Sequence, residues 1–172
     1  MILRPDEYQP GMNIDWEDEL TELLDDLLET QQSMLQLLDS KRTAMTSRNL
    51  EEINKLQPQE EALCQRLLDC QQRRSDMLEV ARQANLPVKN LANLTKTVAK
   101  EIGPEIPNKV KEANNRSIQL KHQSLTNWII AQRNLLHVSQ LLEIIATGGG
   151  KTPTYGGNGE SAQNGFMLDQ EA

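Results

Sequence analysis

The sequence predicts an all-α protein, an elongated antiparallel bundle of three long helices with a short connecting helix and a disordered C-terminal tail. Three observations carry that expectation. Aromatic residues are scarce, with two Trp, two Tyr and one Phe in 172 residues, while Leu, Gln, Glu and Asn abound; this is a composition of helix formers rather than of sheet. Apolar residues recur at alternating spacings of three and four over long stretches, the period of one helix face. Short breaks rich in Asn, Gly and Pro separate those stretches.

The elements follow in order. MILRPDEYQPGMN opens the chain with two Pro and a Gly, so residues 1–14 read as a flexible lead-in to a helical domain over 15–146. A first helix is expected from about Asp15 to Met45, with the stripe Trp16, Leu20, Leu23/Leu24, Leu27, Met34, Leu38, Met45, interrupted by Gln31 and Lys41. After the break TSRN, Asn49 suits an N-cap, and Glu52 three residues on suits the reciprocal half of a capping box. The second stripe runs Leu50/Ile53, Leu56, Leu63, Leu67, Cys70, Met77, Ala81, Ala84. Pro58 lies inside it and predicts a kink near Gln57, because proline lacks a backbone donor and crowds the preceding turn.

Residues 85–107 break the regularity with NLP, IGP and EIP, leaving room for one short helix around Val88 to Ala99. Pro107 suits the first turn of a third long helix. Its core seam is expected at Val110, Ala113, Ser117, Leu120, Ser124, Ala131, Val138 and Ile145, with Trp128, Leu135 and Leu142 beside it. Gly148-Gly149-Gly150 ends that helix, and the small and polar residues of 147–172 read as a disordered Gly-rich tail.

The net charge of −7 is unevenly placed. No Lys or Arg occurs from Pro5 to Ser40, whereas residues 85–142 carry eight Lys/Arg against three acids. Such asymmetry sets which helix lies beside which. The basic segment lacks the dense cluster and interleaved aromatics that nucleic-acid binding uses. Cys64 and Cys70, six apart on one helix, fall on different faces and suit neither a disulfide nor a shared metal. With two free thiols, no secretory leader and no apolar run of membrane-spanning length, the expectation is a cytoplasmic protein.

GGGKT at 148–152 invites a phosphate-loop reading. That loop needs Gly, four residues, then Gly-Lys-Ser/Thr, and the first Gly would have to be Ile145. It also follows a strand and opens a helix, whereas these glycines close one. No nucleophile with a neighbouring base and no metal-ligating group is evident, so neither an enzyme nor a cofactor is expected.

The third helix carries more apolar surface than one seam needs. Beyond Trp128, Ala131, Leu135, Val138, Leu142 and Ile145 it has Leu125, Ile129, Ile130, Leu136, Leu141 and Ile144. A helix apolar nearly all round is buried on several sides or binds something. The functional reading is a groove for a partner's amphipathic helix, lined by Leu125, Ile129, Leu136, Leu141 and Ile144. Closing roughly 300 Å² of it would supply an area term of ~7 kcal/mol before ordering costs. The bland reading is that these residues pack on the 85–107 segment.

The acidic first helix, the second after a short turn, and the third with Trp128-Ile129-Ile130 and Leu135 together resemble the FlgN-type flagellar export chaperones. The tail Thr154-Tyr155-Gly156-Gly157-Asn158-Gly159 is similar to that family's Tyr-Gly-x-x-Gly segment, and the likeness covers roughly residues 15–160. It implies a cytoplasmic chaperone that holds the C-terminal helical segments of hook-filament junction proteins unassembled and brings them to the type III export gate. Substrate binding then maps onto Leu125 to Ile145, and gate docking onto Tyr155, with Phe166-Met167-Leu168 as a second candidate anchor. The chain departs from the family's paired Asn before the apolar step, with Ser124 and Asn127 there. A structural coiled-coil adaptor that self-associates through the same stripes is the competing reading.

Overall fold

The computed structural model describes residues 5–6, 8–9 and 14–148. Most of the expected lead-in, and the expected tail beyond Gly148, lie outside the described residues. Among the described residues there are four helices, α1 (Trp16–Thr46), α2 (Leu50–Gln83), α3 (Leu91–Thr97) and α4 (Glu105–Thr147), and no strand. The chain divides into two units, residues 1–133 and 134–172. The first holds α1, α2, α3 and α4 as far as Arg133. The second, where described, is the last turns of α4.

Local chemistry sets the helix ends. Asp15, Asn49 and Asn90 are N-caps. Their side chains accept from the backbone N–H of Asp18, Glu52 and Asn93 at 3.2, 3.1 and 2.8 Å respectively; each satisfies a donor the helix leaves orphaned. Two helix C-termini share one device. Arg48 (φ 58°) and Asn85 (φ 60°) adopt the left-handed conformation. Asn49 N donates to Ala44 O and Arg48 N to Met45 O, just as Leu86 N donates to Ala81 O and Asn85 N to Arg82 O. This pairing ends a helix by satisfying its last carbonyls. It also corrects the capping-box expectation: the Asn49 amide is already taken by Ala44, so only the Asn49-to-Glu52 half forms. α2 runs unbroken through Pro58.

The first unit is an up-down-up bundle. Along α1 the ion-pair partners on α2 descend, from Glu60 for Lys41 to Arg66 for Glu29 and Asp26, then Arg73 for Asp26 and Glu22. The partners on α4 ascend instead. Gln31 reaches Ala113 and Ser117, Arg116 reaches Leu28 O, and Asn127 reaches Leu38 O, all at separations of 82 to 89 positions. α1 and α4 are therefore parallel, with α3 and its flanking turns carrying the chain back.

The main core joins Trp16, Leu20, Leu23 and Leu24 of α1 to Cys70, Met77, Val80 and Ala81 of α2, with Leu91 and Leu94 of α3 and Ile106 and Ala113 of α4 closing it. A smaller cluster of Met34, Leu37 and Leu38 is flanked by Leu63, Leu67 and Leu120. Between the two lies Gln31, 2% exposed. Its Nε2 donates to Ala113 O at 3.0 Å and to Ser117 Oγ at 2.9 Å, so the residue that breaks the apolar stripe is a bridge to α4.

The acidic helix finds its cations mainly on α2, not only in the basic segment. Asp26 accepts from Arg66 at 2.7 Å and Arg73 at 3.1 Å, and the Cys70 thiol donates to it at 3.4 Å; Lys109 pairs with Asp25 at 2.6 Å. Burial pushes the Asp26 carboxyl up, but the Arg66 and Cys70 hydrogen bonds and the two guanidinium charges outweigh it and hold the carboxyl below its ordinary 3.8. Burial, then the Asp26 hydrogen bond and charge, pushes the Cys70 thiol up to about 11, so it is a core residue rather than a nucleophile. Cys64 is exposed and likewise free.

Because the folded-state pKa of Asp26 is depressed, its contribution is complete above the unfolded value and is lost as pH falls through the folded one. Asp26→Asn is expected to cost about 1–2 kcal/mol at neutral pH. That difference from the parent begins to shrink below about pH 4 and vanishes once the parent carboxyl is protonated. Urea unfolding across this pH range measures it; a difference that persists unchanged in acid contradicts the charge-based account.

Candidate functional site

α4 is the element on which the sequence places a binding surface. In its first half it is a bundle helix: Ile106 and Ala113 are buried, Val110 and Leu120 half-buried. The last buried residue is Asn127, 6% exposed, whose Nδ2 donates to Leu38 O at 2.8 Å. The one Asn retained before the apolar step thus does have a polar role, clamping α4 to α1. Ser124 is exposed and does not join it.

From Ala131 to Gly148 every residue is exposed, and this overturns half of the expected seam. Val138 and Ile145 belong to the core by spacing, with Trp128, Leu135 and Leu142 beside them; these five are 50 to 75% exposed. The physical reason is coverage. α1 ends at Thr46, and its hydrogen bonds to α4 reach as far as Leu38 with Asn127, within the first unit. The seam spacing persists in the sequence, but a period specifies only which residues share a side.

The five residues singled out for substrate binding are all exposed: Leu125 54%, Ile129 43%, Leu136 62%, Leu141 45% and Ile144 56%. They do not form a single strip. In the first unit Leu125 and Ile129, four apart, share a flank, with exposed Trp128 between it and the Asn127 side. In the second, at about 100° per residue, Leu135, Val138, Leu141, Leu142, Ile144 and Ile145 share one face about 180° wide. Leu136 lies off that face, between Gln140 and Glu143. Sequence reasoning therefore misses Leu135, Val138, Leu142 and Ile145 as surface residues. The signal is their number, since one seam and its flank already exceed what three rods can cover. Tyr155 and Phe166-Met167-Leu168 lie outside the described residues.

Among the described residues no group of three His, Cys, Asp or Glu is placed to hold a metal ion, and no helix is long and apolar enough to cross a membrane. What α4 offers chemically is apolar contact area on a helix. Against that geometry, the family model of the FlgN protein matches residues 12–163, nearly the whole chain. The chain belongs to the FlgN family. It is a flagellar export chaperone, a protein that binds flagellar export substrates. No curated protein and no solved structure matches it.

The two tryptophans of this FlgN-family protein report on core and surface, since Trp16 is 6% exposed and Trp128 is 58% exposed. Acrylamide is expected to quench a Trp16→Phe variant, which retains Trp128, several-fold more strongly than a Trp128→Phe variant. Equal quenching in the isolated chain contradicts an uncovered α4.

Proposed function

We propose that this FlgN-family protein acts in the cytoplasm on hook-filament junction proteins. It holds their C-terminal helical segments against α4, keeps them from assembling prematurely, and delivers them to the type III export gate through Tyr155. The observation that supports this reading is the face of six exposed apolar side chains from Leu135 to Ile145. Leu125 and Ile129 add a second apolar strip in the first unit, and Leu136 a flank beside the main face. An amphipathic helix reads such a surface with side chains at helical spacing.

Magnitudes favour a reversible complex. Each of the six side chains contributes on the order of 1 kcal/mol when its exposed part is covered. Lost translational freedom and side-chain ordering offset most of the sum, which leaves roughly micromolar affinity. A carrier that must release its cargo works in that range. Tyr155 suits delivery, because an amphipathic ring between Gly-containing segments makes a brief contact when ordering such a segment opposes binding.

Leu142→Glu is expected to weaken binding of a junction protein's C-terminal helical peptide about tenfold or more, by lost burial and a desolvated charge. Circular dichroism should stay unchanged, since the residue is exposed. Leu136→Glu, on the flank, is expected to weaken it less. Calorimetry with the peptide measures both, and a Leu142→Glu variant that binds as the parent does sinks the assignment. Tyr155→Ala is expected to leave peptide affinity intact while pull-down of the export gate's cytoplasmic domain is lost; equal loss of both would refute the division of labour.

One observation favours a second reading. Leu135, Val138, Leu142 and Ile145 keep the alternating four-three spacing of a coiled-coil seam, which a second copy can close as well as a substrate helix. Light scattering separates the two: a stable dimer unaffected by the peptide marks a self-associating adaptor.

A further inference from the structure

A second surface in the first unit has a different character. Where α3 lies beside α1 and α4, the helices leave an open cleft of about 660 Å³. Its floor is apolar, including Leu24, Leu27, Leu91 and Val110. Among the described residues its charged lining is all cations, Arg74 from α2, Lys96 from α3 and Lys111 from α4, with no carboxylate.

That sign is unusual for this chain. The net charge is −7, and α1 engages many of the bundle's cations: Arg66 and Arg73 of α2, and Lys109 of α4, each pair with its carboxylates. Arg74, Lys96 and Lys111 are all exposed, and none makes an ion pair or side-chain hydrogen bond with another described residue. Arg74 sits one position from Arg73, which is engaged with Glu22 and Asp26; the helix turn sends the two guanidinium groups to different neighbours.

We propose that this cleft is a docking site for an acidic peptide segment of a partner protein, one apolar anchor flanked by carboxylates. The apolar floor takes the anchor. The three cations come from three helices around the opening, so they match several carboxylates spread along a chain rather than one compact headgroup. Asn114, exposed on the lining, supplies an amide for a peptide backbone. The site is separate from the α4 face and does not rest on the reading of that face. The two surfaces select by opposite means, one by area and one by charge.

The probe is the fluorescein-labelled peptide Glu-Glu-Leu-Phe-Leu-Glu-Glu, read by anisotropy on the full chain, with Lys-Lys-Leu-Phe-Leu-Lys-Lys as the counter-probe. The acidic peptide is expected to bind, to weaken as salt rises, and to lose about tenfold or more in affinity in Lys96→Glu/Lys111→Glu. Circular dichroism of that variant should match the parent, because both lysines are exposed and without partners among the described residues. Leu142→Glu should leave this binding unchanged. Equal binding of the basic peptide, no loss on charge reversal, or loss in Leu142→Glu each overturns the proposal. So does binding of laurate, but not of the acidic peptide, since that marks a site for a single-headed amphiphile.

Discussion

Gln31 holds this architecture in register. It sits at the centre of α1 between two apolar clusters, and both bonds of its amide nitrogen go to α4, one to the Ala113 carbonyl and one to the Ser117 hydroxyl. A buried amide without acceptors costs a few kcal/mol. Sliding α4 by one turn would bring another backbone carbonyl to the place of Ala113 O but would take away the Ser117 hydroxyl, since the residues four positions either side of it are Ala113 and Lys121. Asn127 repeats the constraint near the end of α1, donating to Leu38 O at a similar separation. Buried polar groups used as register pins are the best-attested role for such residues.

The electrostatics work with that constraint. α1 is acidic over its first half, and Asp26 alone gathers two guanidinium groups and a thiol. Exposed ion pairs contribute little individually, but a carboxylate shared between the exposed Arg66 and the half-buried Arg73 favours one orientation of the neighbouring helix. Polarity and apolar contact therefore divide the work. Charges select α2 as the neighbour of α1, and the amides of Gln31 and Asn127 align α4. The leucines then supply the bulk of the stability.

Much of this is legible in the sequence. The α1 stripe, the Asn49 cap, the unbroken second stripe and the short helix among the prolines all follow from period and turn chemistry. Gln31 is visible too, as a polar residue on a seam position, but an interruption and a register pin look identical in one dimension. Asn127 is legible as a polar residue beside the apolar step; its partner, a carbonyl on another helix, is not. Arg66 and Arg73 escape notice because a charge census weighs the segment after residue 85. The exposure of Val138, Leu142 and Ile145 is beyond sequence reasoning for a general reason. Periodicity reports a shared face, and coverage depends on where the other helices stop.

That last point joins fold to function. A bundle whose helices matched in length would bury the whole seam and leave only the flanks of Leu125, Ile129 and Leu136 for a partner. Here α1 ends at Thr46 while the apolar spacing of α4 continues to Ile145, so residues patterned like a core are left as surface. Such a surface has the composition of a helix interface without its other half. On the proposed reading, a guest helix seated there would make the same knob-and-hole contacts as a resident helix. It places few charged groups against the guest, so selectivity has to come from the spacing of apolar side chains or from a site elsewhere on the molecule. The cation-lined cleft beside α3 is built for the kind of discrimination that the α4 face lacks.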